Sequence, residues 1–130
     1  MQQIEYDNIT RMKYRVTEDI EYKSKIIPPN GIDIVAPFAK LHSDGVQVLY
    51  KGFCYDGATG APDTPGVMRP AAFHDFICKL VEDRVLPVEY RRQGDDMFRD
   101  LLIEEGFDNY LADIYHKAVV TWGEIKYGVN

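Results

Sequence analysis

The chain predicts an α+β fold, an N-terminal antiparallel β-sheet followed by three helices. Three observations lead there. Apolar residues alternate two by two through the first 55 positions, glycine and proline crowd positions 56 to 70, and apolar residues recur at helical spacing from 70 to 128. Strands first and helices after, with no internal repeat, make one domain spanning 1–130. Its parts are a β-rich segment 1–55, a motif loop 56–70 and a helical segment 70–128.

Met12, Tyr14 and Val16 alternate with Lys13 and Arg15, the pattern of a half-buried strand, and Ile20 and Tyr22 continue it. Pro28-Pro29-Asn30-Gly31 is a turn. Gly31 to Val35 reads as a short strand, and Ser43-Asp44-Gly45 turns the chain into another at Val46–Tyr50. Ala36 to Leu41 stays ambiguous, because Pro37 interrupts any ladder. Asp56 to Pro70 holds three glycines and several prolines, so it reads as a long irregular loop, a kind that is usually functional or disordered. Pro70 to Leu80 then forms a helix with proline in its first turn. A second helical run begins at Gly94, with Met97, Phe98, Leu101 and Leu102 on one stripe and Gly106 as its cap. The last helix places Leu111, Ile114, Tyr115, Ala118, Val119 and Trp122 on one side, as core, and ends near Gly128.

A net charge of −6 argues against nucleic acid as a partner and against adsorption to anionic lipid by charge alone. No apolar run reaches the roughly 18 residues of a transmembrane segment. The first residues lack the basic and apolar regions of a signal peptide, so secretion by that route is not expected. Cys54 and Cys78 read as two buried free thiols, with a bridge between strand end and helix as the alternative.

The chemistry concentrates at His74 and Asp75, which open an apolar helix. Both are costly to bury without partners. Asp95, bordering the apolar stripe of the next helix, can face the histidine, while Asp96 points further out. An imidazole, an adjacent carboxylate and an orienting carboxylate can make a general base beside a cation site. The plain alternative is a polar latch between two helices. For Asp75 it is a first-turn carboxylate favoured by the helix dipole, and for Asp56-Gly57 a turn at a strand end. His42 and His116 read as surface residues without nameable partners, and Glu104-Glu105 as a solvated helix end. No serine or cysteine shows a nucleophile context, and zinc-type Cys and His spacings are absent.

The string Gly52-Phe53-Cys54-Tyr55-Asp56-Gly57-Ala58-Thr59, then Ala71-Ala72-Phe73-His74-Asp75, then Gly94-Asp95-Asp96-Met97-Phe98, resembles a domain-of-unknown-function family carried by tailed phages and prophages. Glycine stands at position 94 where that family has alanine. The resemblance runs from about Met12 to Tyr127 and implies a phage product, in the host cytoplasm or the virion, with phage structural proteins as possible partners. The layout is also similar to phospholipase A2. By that likeness the loop with Asp56, Gly57, Thr59, Gly60 and Asp63 stands where a calcium loop would be. His74 would be the base, Asp75 and Asp56 cation ligands, and Asp95 the orienter, acting on an ester or lipid. The pattern departs at Cys78, which replaces a tyrosine, so that Tyr90 would have to supply the phenol. The two functional expectations are a hydrolase-like domain, calcium-assisted on an ester or lipid, and a non-catalytic virion or host-interaction protein with a structural His/Asp cluster.

Overall fold

The computed structural model describes residues 14–57 and 64–127; Met12, Thr59, Gly60 and Asp63 lie outside the described residues. Its architecture is α+β. Strands β1 (Tyr14–Arg15), β2 (Ile20–Lys23), β3 (Ile34–Ala36), β4 (Ala39–Leu41), β5 (Val46–Leu49) and β6 (Cys54–Tyr55) precede helices α1 (Pro65–Glu82), α2 (Tyr90–Glu104) and α3 (Asn109–Tyr127). All strand pairs are antiparallel. β1 pairs with β6, and the other four form a sheet in the order β2-β5-β4-β3.

The ambiguous segment is a two-residue hairpin. Ala36 faces Ala39 across Pro37 and Phe38, so the proline sits in the turn rather than the ladder. Phe38 occupies the left-handed region at φ 61°, a position that usually carries glycine, and this is why the sequence concealed the turn.

Helix α1 starts at Pro65, five residues earlier than the sequence predicts, so residues 65–70 are helical rather than loop. Pro65 takes the first helical position, where its missing N–H has no helical partner to lose. Pro70 lies inside the helix; its cost is offset by burial of Val67, Pro70, Ala71 and Phe73. Helix α2 likewise begins before Gly94, at Tyr90, which draws Arg91 into its first turn.

The two helix ends show contrasting chemistry. After α2, Gly106 adopts φ 104° and donates to Ile103 O at 3.0 Å, while Phe107 N–H donates to Leu102 O at 3.1 Å. This pair of bonds closes the helix in the manner that favours glycine. After α1 the same bonds recur, Arg84 N–H to Val81 O at 3.0 Å and Val85 N–H to Leu80 O at 2.9 Å. There the left-handed residue is Arg84, at φ 63°.

Helix α1 is central. Its Phe73 meets Tyr22 of β2, its Phe76 meets Phe53, and its other side packs on α2, which in turn packs on α3. In α3 the inward residues are Ala112, Val119 and Gly123, so the predicted core stripe is corrected: Leu111, Ile114 and Trp122 are exposed. Two apolar rows share helical spacing in this helix. A glycine, which has no side chain to register as apolar, marks the one that faces inward.

Candidate functional site

The α1–α2 contact brings His74 and Asp95 together as the sequence predicts. His74 Nε2 lies 2.7 Å from Asp95 Oδ1, and the two residues are 6% and 1% exposed. The second oxygen of Asp95 accepts a bond from Arg91 Nη1 at 3.1 Å. Arg91 is itself 1% exposed, one helical turn before Asp95. Its guanidinium lies against Gly123 of α3, where an added Cβ would stand 1.7 Å from Nη1. Sequence reasoning missed Arg91; the i, i+4 spacing from Asp95 and a glycine within α3 were its only signals.

The contact of Cys78, one turn after His74, with the ring was also missed, although the residue itself stood out as the one replacing a tyrosine. Its Sγ lies 3.8 Å from both ring nitrogens, and i, i+4 spacing was again the available sign. The two cysteines are free, and neither is fully buried: Cys54 is exposed and Cys78 half-buried. Phe98 covers the imidazole at 5.2 Å between ring centroids. Burial disfavours the imidazolium, but the Cys78 sulfur and the Asp95 carboxylate favour it more, and the ring is pushed up to about 10.

Tyr90 does not supply the missing phenol, because its hydroxyl donates to Ile27 O at 2.6 Å. Arg91 is the group that steadies Asp95 instead.

Asp75, the next residue on α1, has a side chain only 13% exposed, with Lys79 Nζ 3.8 Å from its Oδ2. That buried oxygen has no hydrogen-bond partner among the described residues, and neither has Asp56 Oδ1, just past β6. Desolvation pushes the Asp75 carboxyl up to about 6; Lys79 opposes this and the Asp56 charge adds to it, so the two carboxylates share one electrostatic site. Gly57, buried, follows Asp56 and turns the chain at φ 99°. Thr59, Gly60 and Asp63 lie outside the described residues. Among the described residues no three His, Cys, Asp or Glu side chains form a ready-made metal-ligand cluster.

The remaining polar residues have structural partners that sequence reasoning did not name. His116 Nε2 is 2.8 Å from Asp96 Oδ1, and His42 Nδ1 is 4.0 Å from Asp33 Oδ2. Glu104 and Glu105 are held by Arg69, whose guanidinium also lies over the Tyr22 and Phe73 rings. No helix among the described residues is long and apolar enough to cross a membrane. No protein-family model, curated protein or solved structure matches the chain, so its chemistry is read from these side chains alone.

Proposed function

We propose that this is a hydrolase-like domain, with His74 and Asp95 as its acid–base pair and Asp75 and Asp56 as the ligands of a divalent cation, Ca²⁺ being the best fit. The observation that carries the reading is the pair of buried carboxylate oxygens, on Asp56 and Asp75, with no hydrogen-bond partner among the described residues. A buried carboxylate is stable only when paired, and hard oxygens of this kind suit a hard dication. The two carboxylates would be part of the coordination shell, with backbone carbonyls and water completing it. When bound, the ion would polarise the carbonyl of an ester and stabilise its oxyanion. Asp95 engages Nε2 of His74 and favours the imidazolium. Near neutral pH Nδ1, beside the Cys78 sulfur, would therefore donate its proton to the leaving oxygen as a general acid. The ring would take a proton from an attacking water only at alkaline pH, where it is neutral. Arg91 holds the Asp95 carboxylate aimed at the ring. An ester or related acyl compound, with lipid foremost, is the substrate class that this arrangement serves.

A second reading has an observation of its own. Both oxygens of Asp95 are occupied inside the core, and the His74 ring is nearly closed off. On that reading the three groups are a latch between α1 and α2 in a non-catalytic virion or host-interaction protein. Two measurements separate the readings. Millimolar Ca²⁺ should raise the melting temperature of the wild type and leave D56N/D75N unmoved, because a ligand of the native state must stabilise it. His74→Gln should abolish hydrolysis of a chromogenic ester while the protein stays folded. No calcium shift and no hydrolysis by the wild type would leave the latch as the whole role of the cluster.

A further inference from the structure

Beyond α1 lies a concavity of about 790 Å³, formed where the chain leaves that helix and passes Pro29. Val81 and Leu86 form its buried base, and Pro29, Val85, Pro87 and Val88 its sides. Its volume falls in the range of small-molecule sites, and its lining is mostly apolar, with Glu82, Arg84 and Lys126 as its charged members. Val85 and Val88 stand 49% and 43% exposed, leaving valine surface facing water.

Two features give this groove a polarity. Arg84 borders it and makes no ion pair among the described residues. It also holds the left-handed position at the end of α1, which glycine would fill without strain, as Gly106 does after α2. A bulky residue kept in a strained conformation points to a role for its side chain. The second feature is the Glu82–Lys126 ion pair, 2.9 Å long, on the same wall. Glu82 acts electrostatically on Asp75, and Asp56 acts on Lys126, so the charges of this wall and of the carboxylate site feel one another.

We propose that this groove binds the alkyl chain of a medium- or long-chain carboxylate, with Arg84 holding the carboxylate head. A chain with net charge −6 repels anions in general, so a carboxylate needs a local cation, and a guanidinium matches its two oxygens. The alkyl chain covers the exposed valines. The groove's link to the carboxylate site rests on the hydrolase reading above, in which it would receive the acyl part of the ester; the groove itself does not depend on that reading.

Titration calorimetry with decanoate and with 1-decanol, in EDTA, tests the assignment. Wild type should bind one decanoate saturably, about tenfold more tightly than decanol. Arg84→Gly should raise the melting temperature yet weaken decanoate about tenfold, leaving decanol unchanged. Arg84→Gln, which keeps the strained backbone and removes the charge, should weaken decanoate similarly. Val88→Asp should reduce both ligands. Absence of saturable binding overturns the proposal, as does equal affinity for decanol or an Arg84→Gln protein with unchanged decanoate affinity. His74→Gln must keep decanoate binding. Decanoate binding without ester hydrolysis would reject the hydrolase reading and keep the groove; hydrolysis without decanoate binding would reject the groove alone.

Discussion

Each oxygen of Asp95 faces a basic side chain. His74 and its neighbour Asp75 are both raised, the first by its partners and the second by burial, so both contributions to stability fall as pH rises but in different windows. His74 has a folded pKa near 10, above its ordinary 6.5, so its contribution to stability is complete below about pH 6.5 and is lost as pH rises through 10. Ring carbon and nitrogen shifts followed by NMR should therefore report an imidazolium still present at pH 8 in EDTA; a ring that titrates near 6.5 contradicts the network. Asp75 is also raised, to about 6, but for a carboxyl this favours the neutral form. Its contribution is present below its ordinary 3.8 and lost as pH rises through 6. At pH 7 the ionised group is thus a burden on the ion-free fold. Asp75→Asn should stabilise that fold by about 1–3 kcal/mol and flatten its stability between pH 4 and 7. It should also diminish the calcium response. Destabilisation by Asp75→Asn in EDTA would show that the Lys79 ion pair outweighs the cost of burying the carboxylate.

Helices α2 and α3 meet where a guanidinium occupies the space that a side chain at position 123 would need. Alanine is ordinarily the better helix former by about 1 kcal/mol. Here its methyl would overlap Arg91 Nη1, which must then leave Asp95. Gly123→Ala should consequently cost about 3 kcal/mol, the scale of breaking a buried pair, and thermal or urea unfolding would measure it. An unchanged or raised melting temperature would mean that Arg91 is not anchored there. The element scale also explains what the sequence disclosed and what it hid. The stripe Met97, Phe98, Leu101 and Leu102 and the cap Gly106 were legible because periodicity and glycine preference agree. The start of α1 was hidden because three prolines and three glycines near it mimic a loop, whereas packing of Val67 and Ala71 decides the matter. The inward face of α3 was hidden because Gly123 and Ala112 carry too little hydrophobicity to compete with Trp122.

Across the whole molecule, local pattern predicted the order of elements and the His74–Asp95 contact, while the partners that define the electrostatics came from three-dimensional packing. The contacts of Arg91 and Cys78 depend on where helices start and how they face, and a linear reading does not fix either, whereas Asp56 and Asp75 were already expected to share one cation. The same packing sets a gradient of stability. Helix α1 is flanked by strands on one side and α2 on the other, and residues such as Phe73, Ile77, Phe98 and Leu101 are fully buried. The β1–β6 ladder, by contrast, pairs only two residues on each strand, and two-stranded ribbons are marginal alone. Amides at the centres of α1 and α2 should thus exchange with solvent only through global unfolding, and those of β1 and β6 through a smaller opening. Asp56 directly follows β6, so a cation on the Asp56–Asp75 pair would close that smaller opening first. Hydrogen exchange with and without Ca²⁺ should show added protection at Cys54–Gly57 and the middle of α1 before any change in α3. Protection rising uniformly over the chain would place the ion elsewhere, and none at all would remove it.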